Sequence, residues 1–278
     1  MWQKSYDDSP SLYLVPTPIG NLEDITYRAV NVLKNVDVIF SEDTRQTALL
    51  LSHYEIKNKL ICLEDHNENV VKNKVLSYLK EGKDVAIVTD RGTPIISDPG
   101  YKTVKLIVDS GYNVISLPGP TAFVPALTVS ALPPLPFLFY GFLNSKDSKR
   151  RKELKNLEKV EYSMIFYEAP HRIIKTLKDM YEIFGDRQIS ISREISKKFE
   201  SIYRGTLSNI INDFDNVKGE FVIVIEGNSN EIKEELDVIT LINDYVNKGY
   251  SISDAIKKVS NDTNINKNEL YRVYHGGK

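Results

Sequence analysis

Cysteine is almost absent from the 278 residues: Cys62 stands alone, which excludes an intrachain disulfide and any multi-cysteine metal site. It falls in the strand-like run KLICL, where a small buried apolar side chain is the expected role. Long apolar runs are missing too. The most apolar stretch, Leu132 to Leu143, is short and broken by Pro133, Pro134 and Pro136, and the opening MWQKSYDDSP holds no apolar signal core. No membrane span is predicted, and a cytoplasmic location is expected. Neither sign of charge dominates. With 36 basic against 38 acidic residues the net charge is −2, which argues against a generic nucleic-acid coat but leaves room for a local basic patch. A G-x-G-x-x-G fingerprint is also lacking, because the first loop, TPIGN, carries Gly20 alone; this argues against a dinucleotide-type pyrophosphate cradle. His66 in EDHNE has no further ligand-type residues at suitable spacing, so no metal site is predicted.

What is present is an ordinary globular composition, 41% hydrophobic and 27% charged, in a chain long enough for two modest domains. Through the first half, short β-branched strands alternate with helical apolar spacing. SLYLVP, VDVIF, KLICL, VAIV and YNVISL read as strands, separated by helices near Ile25, Ala48, Asn69 and Tyr101. Such alternation predicts a mostly parallel sheet covered on both faces. Each strand then empties into a polar loop on one sheet edge: TPIGN, SEDTRQ, EDHNE, TDRGTPIISDPGY and PGPTAF. That edge is where open α/β sheets bind small ligands.

The richest of these loops runs from Asp90 to Tyr101. Gly92, Pro94, Pro99 and Gly100 shape it, while Asp90, Thr93, Ser97 and Asp98 supply polar groups. Asp-x-Gly by itself is a common turn signature, in which Asp90 and Asp98 do no more than cap turns. In SEDTRQ, Asp43 or Thr44 is placed to cap the following helix, yet a cap does not require the neighbouring Glu42 and Arg45, so capping and function are both open there. At PGPTAF the amides of Thr121 and Ala122 open a helix and are candidates to face a ligand.

Beyond the proline-rich ALPPLP the pattern changes. FLFYGFL is a strand, Lys146 to Val160 a basic helix, YSMIFYE a strand, and EAPHR opens a helix near Pro170. QISISRE and FESIYRGT form an expected antiparallel pair, followed by a helix from about Leu207 to Phe214 and the run GEFVIVIEG. The expected division is 1–131, an N-terminal α/β domain, 132–228, a second α/β domain, and 229–278. The last piece starts in a polar connector, Asn228 to Glu235, and continues as a small helical appendage.

Taken together, VPTPIGNLEDIT, SEDTR, TDRGTPIISDPGY, LPGPTA, FYEAPHR, SREISK, RGTL and KGEFVIVIEG closely resemble, in order and spacing, the signature blocks of the tetrapyrrole (corrin/porphyrin) methylase superfamily. The branch they resemble is the bacterial one that 2'-O-methylates the ribose of a cytidine at the decoding site of 16S ribosomal RNA. The resemblance spans about Leu12 to Gly227. It implies two α/β domains with S-adenosylmethionine in the cleft between them, no metal, a homodimer and the small ribosomal subunit as substrate. It further implies cofactor contacts at Pro16, Asp90, Gly92, Thr93, Pro94, Thr121, Ala122, Tyr167 and Glu168. One departure from the pattern is Arg91, where the family usually carries a small residue.

Methyl transfer to a hydroxyl asks the protein to align the acceptor oxygen and help remove its proton. Candidates for proton removal are Glu42, Asp43, Glu168, His171 and Lys197; Arg45, Arg193 and Lys197 are candidate cations for the developing oxyanion. For RNA, Lys146, Lys149, Arg150, Arg151 and Lys152 crowd one helical segment, with His171 and Arg172 nearby in sequence. The bland alternatives are a solvated basic face and a solvated helix start; the resemblance favours phosphate contacts. Tyr271, Arg272 and Tyr274 are candidates for stacking or a dimer contact. Two other readings stay open: a methylase of a tetrapyrrole or other small molecule, and a non-catalytic module that binds a nucleotide or RNA.

Overall fold

A computed structural model of the chain describes residues 2–5, 7–64, 66–213, 218–228, 238–263 and 265–275. Phe214, at the end of one expected helix, and most of the expected connector, 229–235, lie outside the described residues. Two compact units are present, Met1–Asn228 and Ser229–Lys278.

The first unit begins with a parallel sheet. Its elements are β1 (Ser11–Leu14), α1 (Tyr27–Asn35), β2 (Val38–Ser41), α2 (Thr44–His53), β3 (Leu60–Cys62), α3 (Glu68–Lys80), β4 (Val85–Val88), α4 (Tyr101–Asp109), β5 (Asn113–Ser116) and α5 (Phe123–Val129). The strand order is β3-β2-β4-β1-β5, and every pairing is parallel, with Leu12 and Val38 both opposite Val85. Register of this kind brings the carboxyl ends of all five strands to one edge. Alternation along the strands sends Leu12, Leu14, Phe40 and Ile87 to one face, against Val75 and Leu79 of α3 and Ile107 of α4. Ile39, Ala86, Val88 and Ile115 go to the other, against Leu33 of α1 and Leu51 of α2. Burial on both faces explains why the strands read as continuous apolar runs. Thr26 caps α1 by accepting from the amide of Ala29 at 3.0 Å.

The second sheet is mixed, as its sequence pattern implies. It comprises β6 (Phe137–Phe142), α6 (Asp147–Leu157), β7 (Ser163–Glu168), α7 (Ile173–Phe184), β8 (Gln188–Arg193), β9 (Ser201–Thr206), α8 (Leu207–Asp213) and β10 (Phe221–Ile225). The order is β6-β7-β10-β8-β9; β6 and β7 are parallel, and the other pairs antiparallel. Met164, Phe166, Ile191 and Ile223 face Leu154 of α6, Leu177 and Met180 of α7 and Leu207 of α8. Each such fully buried side chain contributes on the order of 1.5–3 kcal/mol. The opposite face is covered from an unexpected direction: Ile165, Val222 and Val224 pack on Ala126 and Leu127 of α5, a helix that precedes the proline-rich linker. A helix that follows β5 of the first sheet thus packs on the second, which holds the loops of the first against the strand ends of the second.

The second unit is a three-helix cluster, α9 (Val238–Asn247), α10 (Ile252–Thr263) and α11 (Lys267–Tyr274), around Ile242, Ala255, Ile256, Val259 and Leu270. Tyr274 donates its hydroxyl to Asn243 Oδ1 at 2.9 Å, and Tyr271 stacks on His275. Among the described residues no helix is long and apolar enough to cross a membrane.

Candidate active site

Backbone bonds tie the strand-end loops of the first sheet to one another. Thr17 and Gly92 exchange amide-to-carbonyl bonds of 2.9 and 3.0 Å, and the Thr17 hydroxyl donates to the carbonyl of Thr89 at 3.0 Å. Gly92 sits at φ +84°, a conformation that side-chain-bearing residues rarely adopt. Thr93 donates to the carbonyl of Pro120 at 3.0 Å, which adds the loop after β5. At Gly119 a Cβ would stand 2.6 Å from the Pro16 ring, so only glycine lets the first and last loops close together. Ile95 and Ser97 hold positive φ of 75° and 71°, each a strain of about 1–3 kcal/mol that the surrounding bonds must sustain.

The loops enclose a cavity of about 620 Å³ whose walls come from both sheets: Glu42, Asp43, Asp90, Gly92, Thr93, Thr121 and Ala122 from the first half, and Tyr167, Glu168 and Glu220 from the second. Pro16 and Pro94 are buried and do not line it; their part is to shape the loops. Asp43 caps α2, accepting from the Arg45 amide at 2.8 Å, and its two oxygens receive Arg45 Nε at 3.0 Å and Nη2 at 2.8 Å. The Arg45 side chain, then its amide, hold the Asp43 carboxyl down to about 2. A carboxylate so depressed is a poor proton acceptor. The amide of Asp43 in turn donates to Asp90 Oδ1 at 3.0 Å, linking the loops after β2 and β4. Arg45 is 89% exposed and outside the cavity lining.

From the other side, the Tyr167 phenol is raised above its usual pKa by burial, against the pull of hydrogen bonds from Thr121 and the backbone of Phe123 and Ala122. Of the two amides expected to face a ligand at the start of α5, that of Ala122 therefore meets a tyrosine of the second sheet. Phe142 and Tyr167 add an aromatic edge-to-face pair, with centroids 5.4 Å apart. A bulge between Phe139 and Gly141 bends β6, and at Gly141 a Cβ would come 3.1 Å from Ser97 Oγ.

Charged side chains tie the cavity mouth. Arg91 pairs with Glu220 beside β10. Glu220 also accepts from Lys197 Nζ at 2.8 Å, and that ammonium bonds Glu194 at 2.9 Å. Burial works to raise Glu194, but the Glu220 amide and Lys197 outweigh it and leave the carboxyl lowered. Ser196 donates to Asp24 across the same gap. Lys197 lies over Gly20, where a Cβ would be 2.3 Å from its Cγ, so this candidate catalytic residue sits outside the cavity lining with its ammonium engaged.

Two expectations need correcting. Glu168 borders the cavity, but its carboxylate is buried: Oε1 accepts from the Ala169 amide at 2.8 Å and Arg172 Nε at 2.7 Å, and Oε2 from the Thr176 hydroxyl at 2.6 Å. It orders the start of α7 and is not placed to take a proton from a ligand, and Arg172 is its counter-ion rather than an open phosphate contact. Arg150, expected to meet RNA, is 1% exposed and bonds Asp179 at 2.8 Å and Asp147 at 3.0 Å. Its neighbour Arg151 pairs with Asp179 at 2.6 Å and Glu182 at 2.7 Å. Lys146, Lys149, Lys152 and His171 remain on the surface. Sequence reasoning missed Glu220 and Gln46 as cavity residues; Glu220 stands inside the block KGEFVIVIEG, and its acidic side chain before an all-apolar strand was the available signal. Among the described residues no group of three or more His, Cys, Asp or Glu is placed to hold a metal ion.

Two α/β layers clasping a cavity at the parallel strand ends define a two-sheet methylase architecture. The profile of the Tetrapyrrole (Corrin/Porphyrin) Methylases matches residues 11–211, and the chain belongs to that family. Over 96% of this chain and 95% of the relative it is 46% identical to the ribosomal RNA small subunit methyltransferase I of Bacillus subtilis (strain 168). It is 40% identical to the protein of that name from Vibrio cholerae, over 95% of this chain and 94% of that one. Among solved structures the fold is similar to uroporphyrin-III C-methyltransferase from Thermus thermophilus complexed with S-adenyl homocysteine, at TM-score 0.56 and 18% identity over 78% of this chain and 97% of that chain. The cobalt precorrin-4 methyltransferase CbiF is similar at TM-score 0.57 and 17% identity, over 81% and 98%.

Proposed function

We propose that this protein transfers a methyl group from S-adenosylmethionine to the ribose 2'-oxygen of a cytidine in 16S ribosomal RNA, at the decoding site of the small subunit. The observation that carries this reading is the 46% identity, running almost end to end, to a protein named for small-subunit ribosomal RNA methylation. The ribose oxygen and the cytidine rest on the signature blocks quoted above. Cytoplasmic location, a homodimer and the three-part division at 131 and 228 belong to the same reading.

The cavity suits such a donor. Its volume of about 620 Å³ falls within the range of small-molecule sites. A sulfonium is a cation, and Asp43, Asp90 and Asp98 with the rings of Phe142 and Tyr167 offer the carboxylates and aromatic faces that attract one. Gly92 keeps the wall free of a side chain where the backbone must come close. When bound, the donor supplies a methyl group already activated toward displacement. The chain's own residues then bind and orient: Gly92, Thr93, Thr121, Ala122 and Tyr167 hold the donor, and Asp90, fixed by the Asp43 amide, is placed to orient hydroxyls. Asp43 stays ionised and holds Arg45, whose exposed guanidinium faces approaching RNA. Lys146, Lys149, Lys152 and His171 contribute phosphate contacts on the surface.

The test is incubation of the purified chain with methyl-labelled S-adenosylmethionine and, in parallel, small ribosomal subunits that lack the modification or a porphyrin precursor. Label recovered in a 2'-O-methylated cytidine is expected. Label only in a porphyrin precursor, or none, overturns the reading.

A further inference from the structure

A second cavity, of about 240 Å³, adjoins the first and shares Gln46, Thr89, Asp90 and Arg91 with it. Its far wall is apolar: Leu22, Leu49 and Leu50, with the ring of His53 beside them. Leu49 is 70% exposed and Leu22 40% exposed, an arrangement without purpose for a fold already sealed by Leu51 on the buried side of the same helix. The wall is braced, since Tyr54 donates its hydroxyl to the Leu22 carbonyl and meets the His53 ring edge-on at 4.8 Å.

We infer that this recess is the subsite for a single pyrimidine base, unstacked from RNA and seated so that its ribose reaches the larger cavity. The inference rests on the proposed function and specifies how the acceptor is held. Size and adjacency support it: the recess is far smaller than the donor cavity, with room for one flat ring and not for a four-ring macrocycle, and it shares Gln46, Thr89, Asp90 and Arg91 with that cavity. Chemistry supports it as well. Leucine side chains cover the face of an extruded base, and the Gln46 carboxamide, at the boundary, offers both a donor and an acceptor to a base edge. Extrusion costs a few kcal/mol, least for a base already single-stranded. Arg91 stands at the same boundary for the flanking phosphate. Its ion pair with Glu220 is 55% and 60% exposed on the two sides, and so exposed a pair is weak enough to be exchanged for a phosphate.

The test is Leu49→Trp, which fills the recess from its exposed side, with His53→Trp as a second filler on the same wall. Binding of S-adenosylhomocysteine is followed by calorimetry, and methyl transfer to unmodified small subunits under saturating donor. Both variants should hold S-adenosylhomocysteine within about twofold of the unaltered chain and lose about tenfold or more in kcat, with KM for subunits changing less, because surface phosphate contacts set subunit affinity. Transfer at the unaltered rate by both variants overturns the subsite and leaves the proposed function standing. Loss of S-adenosylhomocysteine binding in folded variants also overturns it, by assigning the recess to the donor. No transfer to subunits by the unaltered chain overturns both.

Discussion

Two ionic clusters in this protein use similar residues in opposite ways. Between α6 and α7, Arg150 and Arg151 converge on Asp179, with Arg150 fully enclosed. At the cavity mouth, Arg91 and Lys197 converge on Glu220, which is 60% exposed. Enclosed charges pay a large desolvation cost and depend on their partners, so the first cluster is fixed structure. Exposed ones are screened by water and exchange partners at little cost, so the second is suited to a surface that must admit a ligand. Density of basic residues along the chain does not distinguish the two; burial does.

The sharpest way to break that comparison is to remove one charged partner from each cluster. Asp179→Ala takes the enclosed partner from the buried Arg150, leaving it the half-exposed Asp147 alone, and should cost about 3–5 kcal/mol in denaturant unfolding; a loss under 1 kcal/mol would show that water reaches the cluster. Gly119→Ala comes next. Its new methyl meets the rigid Pro16 ring, so about 1–3 kcal/mol of stability should go, together with measurable donor affinity. Arg91→Ala should change unfolding by no more than about 1 kcal/mol while slowing methyl transfer to subunits, and equal damage to both would place Arg91 with the structural cluster.

The smallest effect concerns pH. The Asp43 carboxyl is lowered to about 2, chiefly by the Arg45 side chain. For a depressed carboxylate the associated stability is fully present above its ordinary range and is lost progressively as pH falls from there through the lowered value. Asp43 is half-buried and its partner Arg45 is exposed to solvent, so the pair is screened and little stability is at stake. Its resonance in a carboxylate NMR titration should stay constant from pH 8 to pH 4 (ordinary range near 3.9) and move only near 2; a midpoint at the ordinary value would mean that Arg45 is free in solution.

Much of the first sheet was legible because strands buried on both faces write unbroken runs such as VAIV and VDVIF, and parallel order then dictates which edge the loops share. The mixed second sheet was legible from QISISRE and FESIYRGT. What was not legible depends on contacts between distant segments. Nothing local in FVPALTV says that α5 covers the second sheet, and the helical repeat of SKDSKRRKELK does not say that Arg150 turns toward Asp179, 29 residues on. Glu168 shows the same limit: its place at a strand end suggested chemistry, while Arg172 and Thr176 one turn and two turns later claim its carboxylate.

Convergence of the loops after β1, β2, β4 and β5 on one donor cavity is the claim on which the rest stands. It is tested most directly by calorimetric titration of S-adenosylmethionine into the full chain and into Asp90→Ala. Uptake at one site per chain, clearly weakened in the variant, is the predicted result. No uptake, or uptake indifferent to Asp90, would contradict it.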